Sequence, residues 1–111
     1  MNSQLKIKRI ADALTSIEGL KVYHYYRTQI QAPYCIWSED MEGNSLQTSN
    51  HKAEQTISGT IDYFTQEEFD ANIDKIQDAL NVIENCSWSI NSVQYEEDTE
   101  LIHYEWTWSI F

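Results

Sequence analysis

Glycine, proline, cysteine and positive charge are all scarce in this sequence, and each scarcity narrows what the chain can do. Three glycines in 111 residues cannot build a Gly-rich cradle for phosphates, and no GxGxxG, Walker or GxSxG pattern occurs. The two cysteines, Cys35 and Cys86, lie far apart and outside any CxxC or Cys/His cluster, which speaks against a zinc site and a disulfide scaffold. Both read as buried or idle thiols. Seven Lys and Arg stand against 18 Asp and Glu, a formal net charge of −11. A phosphate backbone would be repelled over most of such a surface, so no sequence-specific nucleic-acid contact is expected. The cations form no dense patch: Lys6, Lys8 and Arg9 read as a solvated helix face, and the others are dispersed. No signal-peptide-like run opens the chain and no stretch of roughly 18 uncharged apolar residues occurs, so no membrane association is expected and the protein is assigned to the cytoplasm where it is made.

Chemistry-bearing clusters are equally sparse. His24, His51 and His103 fall on different predicted elements without HxH or HxxxH spacing, so neither a metal nor another cofactor is expected. Asp40-Met41-Glu42-Gly43-Asn44 has the composition of a calcium loop, but its glycine comes too early and the distal bidentate Glu is missing. Asn85-Cys86-Ser87 matches a glycosylation acceptor and is read as accidental without a secretory route. Glu96, Glu97, Asp98 and Glu100 read as a solvated hairpin tip, not as an acid-base pair with one buried member. The chain is expected not to be an enzyme.

What is present is hydrophobic periodicity. At 41% hydrophobic and 13% aromatic, the chain has enough apolar surface to offset the entropy of ordering one domain, residues 1–111. Ile7, Ile10, Ala11, Leu14 and Ile17 predict a helix over Leu5–Ile17, ended by Gly19. Leu20–Tyr26 and Tyr34–Trp37 predict two strands, expected as antiparallel neighbours. Residues 38–54 turn polar and predict a long loop of functional character. Ile57, Gly59, Ile61 and Tyr63 alternate with Thr56, Ser58, Thr60 and Asp62, a half-buried strand. Thr65-Gln66-Glu67-Glu68 reads as a capping box, and Phe69, Ile73, Ile76, Leu80 and Ile83 form the stripe of the helix it opens. Ser87–Tyr95, with a bulge at Asn91-Ser92, and Leu101–Phe111 complete the strands. The order helix-β-β-β-helix-β-β defines an α+β fold, a mainly antiparallel sheet with two helices packed on one face.

The aromatic load exceeds what one covered sheet face can hide. Tyr23, Tyr25 and Trp37 are the expected surplus, forming a subunit interface together with Glu39, Asp40, Glu42, Asn44, His51 and Lys52 of the polar loop.

Pro33-Tyr34-Cys35-Ile36-Trp37 and the polar loop, then Gly59-Thr60-Ile61-Asp62-Tyr63-Phe64, the capped helix, and Ser92-Val93-Gln94-Tyr95-Glu96 with His103-Tyr104-Glu105-Trp106 form a pattern spanning nearly the whole chain. It resembles small phage and prophage tail-completion proteins, similar to the tail terminators of long-tailed phages. The resemblance implies a non-catalytic structural protein that forms a homo-oligomeric ring, typically of six subunits. Such a ring caps the tail tube, stops its polymerisation and faces the head connector. Partners would be the tail-tube and head-connector proteins, and the location the host cytoplasm during assembly and then the virion tail. The alternative is a small acidic adaptor or inhibitor that binds a host protein through the same loop.

Overall fold

The computed structural model describes residues 3–26, 31–42 and 56–111. Two helices, α1 (Ser3–Thr15) and α2 (Ala71–Asn81), pack against a five-stranded sheet of β1 (Val22–His24), β2 (Tyr34–Glu42), β3 (Ile57–Thr65), β4 (Cys86–Glu96) and β5 (Leu101–Ile110). The strand order is β1-β2-β3-β5-β4, antiparallel except between β1 and β2. The α+β class and the element order are those the periodicity predicts.

β3 is the central strand and shows why its sequence alternates. Ile57, Gly59, Ile61, Tyr63 and Thr65 are buried towards the helices, while every residue between them is only half-buried. Across the ladder Ile61 pairs with Trp37 on one side and Trp106 on the other, and Gly59 pairs with Trp108. Ile10 and Leu14 of α1 and Ile76 and Leu80 of α2 close the core over these rings with no exposure. Two of the tryptophans of the last two strands also bolt α2 down. Trp106 Nε1 donates to Gln77 Oε1 at 3.0 Å and Trp88 Nε1 donates to Asn81 Oδ1 at 2.9 Å.

Among the described residues no helix covers the opposite sheet face, and it is organised in rows across the strands. Ser38, Thr60, Thr107 and Ser89 form a row of hydroxyls, linked by the Ser38–Thr60 and Ser89–Thr107 contacts at 3.4 and 3.3 Å. Tyr34, Phe64 and His103 form an aromatic row, stacked at centroid distances of 4.8 and 4.2 Å. His103 places Nδ1 3.0 Å from Glu96 and Nε2 2.7 Å from Asp62. Burial pushes the Asp62 carboxyl up, against the opposing effect of His103.

Three expectations are corrected. β1 and β2 are parallel, because apolar alternation reports which face a strand buries and not the direction in which it runs. β1 is also short: Tyr25 adopts φ 76° and turns the backbone out of the ladder, although its N–H still donates to the Trp37 carbonyl at 2.8 Å. The polar segment expected as loop from residue 38 is strand through Glu42, because its backbone pairs along β3, with Ser38 opposite Thr60 on one face and Glu39 opposite Gly59 on the other. The expected bulge in β4 is present, as a register shift between Ile90 and Ser92.

A Cβ on Gly59 would overlap the Ser38 carbonyl oxygen and sit 2.5 Å from the Trp108 ring. Backbone cannot yield as a flexible side chain does, so Gly59→Ala is expected to cost about 2–3 kcal/mol. Urea unfolding of the two proteins, compared at equal slope, measures it.

Candidate functional site

The first candidate surface lies at the β1–β2 edge. His24 and Trp37 are register partners in the parallel pair, so both project to the helix face, where their rings stack at 3.8 Å and 6°. Tyr25 stacks on His24 at 3.9 Å. Glu39, two residues beyond Trp37 on the same face, accepts a hydrogen bond from the Tyr25 hydroxyl and lies 2.8 Å from His24 Nε2. Burial raises the Glu39 carboxyl, but the hydrogen bonds from Tyr25 and His24 outweigh it and the net direction is down. The same contact, with its negative charge, pushes the Tyr25 phenol up. Gln4, Ile7, Lys8 and Ala11 of α1 wall this cluster and leave an open groove beside Trp37.

Tyr25, Trp37 and Glu39 of the expected interface residues are thus brought together, with His24 as a member that the residue types alone did not single out. Trp37 is corrected: it is 4% exposed, a core ring whose flank is covered by His24, and not an exposed interface anchor. Tyr23 is half-buried and, as register partner of Ile36, projects to the other face. Asp40 is exposed at the register irregularity between Glu39 and Met41, apart from the cluster. Glu42 ends β2, and Asn44, His51 and Lys52 lie outside the described residues.

The second candidate surface is set by the entry to α2. The expected capping box does not cap the helix: Thr65 ends β3, and Asp70 is the N-cap, accepting from the Asn72 N–H at 2.8 Å. The Asp70 carboxylate also accepts from the Tyr63 and Thr65 hydroxyls, both at 2.7 Å, while Asn72 Nδ2 donates to the Tyr63 oxygen at 2.8 Å. Thr65 in turn accepts the Glu67 N–H at 3.1 Å. Burial raises the Asp70 carboxyl, but the bonds from Thr65, Tyr63 and Asn72 prevail and hold it below its ordinary value. Tyr63 is pushed up, by burial first.

Phe69 departs from its expected place on the α2 stripe. It precedes the cap with φ 57° and is 93% exposed, turned away from the core that Ile76 and Leu80 enter. Beside it the helix layer ends. Ile102 and Tyr104 of β5, with Phe69 and Ile73, line a groove on the helix face, and beyond it Ile90, Val93 and Tyr95 of the β4 edge are exposed, Tyr95 to 61%. Ile90, Val93 and Tyr95 pair with Trp106, Tyr104 and Ile102 and so share the helix face; their exposure depends on how far α2 extends over the strands, which no local pattern reports.

These surfaces carry hydrophobic, aromatic and ion-pairing groups suited to holding another macromolecule. Compared with protein-family models and with curated proteins, the chain matches none.

Asp70→Ala removes a cap and orphans two buried hydroxyls, and is expected to cost about 3 kcal/mol. Because the folded carboxyl is held low, its contribution is complete above about pH 4 and is lost as pH falls through the folded value. The wild-type denaturation midpoint should therefore fall more steeply with acid than that of Asp70→Asn. Phe69→Asn, which places a residue tolerant of the left-handed region where almost no burial is lost, should raise stability by about 1 kcal/mol in the same unfolding assay.

Proposed function

We propose that this chain is a non-catalytic structural subunit that assembles with copies of itself, as a tail-terminator or tail-completion subunit at the head-proximal end of a long phage tail tube. The observation that carries the reading is the exposure of large apolar side chains at both edges of one small sheet. Tyr25 and Tyr26 stand out just after β1 and Leu5 on α1, while Val93 and Tyr95 stand out on β4 and Phe69 beside Ile102 and Tyr104 of β5. Grouped exposed apolar residues of this size mark contact sites more often than idle surface. β4 adds an eleven-residue strand that stands at the edge of the sheet formed by the described residues.

The motif resemblance supplies the particular role: a ring that ends tube growth and meets the head connector, formed in the host cytoplasm and carried into the virion. A ring needs two unlike patches, one meeting the other on the next copy, which two differently built sheet edges can provide. With eleven net negative charges per subunit, repulsion opposes association at low ionic strength and is screened over about 10 Å at 0.1 M salt.

Light scattering behind size exclusion should show a species of ring size that grows with protein concentration and is favoured at moderate over low salt. Purified tail-tube protein from the same virion should retain it. A monomer at every concentration and salt, with no tube binding, would overturn the reading and favour the acidic adaptor.

A further inference from the structure

Resting on the self-assembly reading, we propose that the two edges mate with each other: the Phe69–Tyr95 strip of one copy seats on the α1–β1 groove of the next. The shapes are complementary in kind. Phe69 is an aromatic knob at 93% exposure, held outward by a left-handed backbone immediately before the locked Asp70 cap. The groove between α1 and the His24–Trp37–Glu39 cluster is an aromatic-floored slot walled by Ile7, Ala11 and Lys8.

Charge selects this pairing over its alternative. The strip is rimmed by Glu67, Glu68 and Asp74 on the α2 side and by Glu97 and Asp98 at the hairpin tip, all exposed, with Lys75 the one cation on these two segments. The groove side is less acidic: Lys8 on α1 and Lys21 ahead of β1 are exposed, Lys21 donating to the Gln31 carbonyl at 2.7 Å, and they stand against Asp12 and the Glu39 carboxylate of the lining, which Tyr25 and His24 already hold. Among the described residues Lys8 makes an exposed i,i+4 pair with Asp12, its side chain 64% accessible, a contact weak enough to be exchanged for a carboxylate of a neighbour. Joining two copies β4 to β4 would instead bring two acidic rims together, an arrangement that like charge disfavours. Because the strip lies by β4 and the groove by β1, at opposite edges of the sheet, the contact is heterologous and repeats from copy to copy.

The test mixes two variants. Phe69→Asn/Tyr95→Lys disables the strip, and Gln4→Glu/Lys8→Glu disables the groove; all four positions are exposed, and circular dichroism with a thermal melt confirms that both fold. Each variant alone should be monomeric where the wild type assembles, with self-affinity weakened by at least roughly 30-fold, as loss of an interface anchor produces. Their mixture should yield a 1:1 dimer that grows no further, since one intact strip meets one intact groove. If only the strip variant is monomeric and mixing restores nothing, the contact is isologous through β4 and the inference is overturned. If the wild type assembles and both variants still assemble, the inference falls while the assembly reading stands. A wild type monomeric under all conditions removes the assembly reading, and the inference with it.

Discussion

A tryptophan ring laid over a glycine at the centre of the sheet is the contact on which the rest of the packing depends. Gly59 lets the Trp108 ring descend to the backbone of β3, and the Ser38 carbonyl of β2 occupies the space on the other side where a side chain would begin. Three strands are thereby drawn together at one point, and the neighbouring rows of Trp37, Ile61 and Trp106 take their height from it. The arrangement carries a cost: among the described residues Trp108 Nε1 has no hydrogen-bond partner although it is buried. Leaving such a donor unmet costs about 1–3 kcal/mol. Burial of so large a ring offsets it, since full burial of a big apolar side chain contributes on the order of 3 kcal/mol.

A second joint ties sheet to helix. Asp70 binds Tyr63 and Thr65 of β3 and caps α2 with the same carboxylate, so the last turn of the strand and the first turn of the helix hold a single relative position. Within this network the Tyr63 hydroxyl both donates and accepts, and Asp70 receives only donors, which is the balance a buried polar group needs. The fixed connection leaves Phe69 no route into the core. Its backbone takes a conformation that bulky residues avoid, and the ring is delivered to solvent. The structural joint and the candidate contact surface are therefore one construction.

The two edges of the sheet differ in how their polar groups are used. At the β1 side, Glu39 is held by Tyr25 and His24, and Lys8 by an exposed carboxylate. At the β4 side Glu97, Asp98 and Glu100 fall on one short exposed turn, whose negative charge disfavours bringing up a like surface. Under the assembly reading, this difference is what separates a head-to-tail contact from a symmetric one. Attraction then comes chiefly from aromatic burial, with charge setting the register and excluding wrong pairings.

Much of the fold was legible because periodicity is a local property. Alternation from Ile57 to Thr65 and from Leu101 to Ile110, and the stripes of α1 and α2, appear in the structure as buried and exposed sides of the same elements. The candidate interface was only partly legible. Tyr25 and Glu39 do meet at the β1 edge, yet Trp37, chosen for the same aromatic character, is core, because His24 from the adjacent strand stacks over it. Phe69 belongs to the α2 stripe by spacing and is exposed, as are Val93 and Tyr95, because α2 begins only after Asp70 and does not cover that end of β4 and β5. The sequence by itself determined which residues share a face, since side-chain direction follows from backbone repeat alone. The tertiary structure decided strand direction, the true cap of α2 and which apolar faces remain uncovered, since each depends on groups distant along the chain.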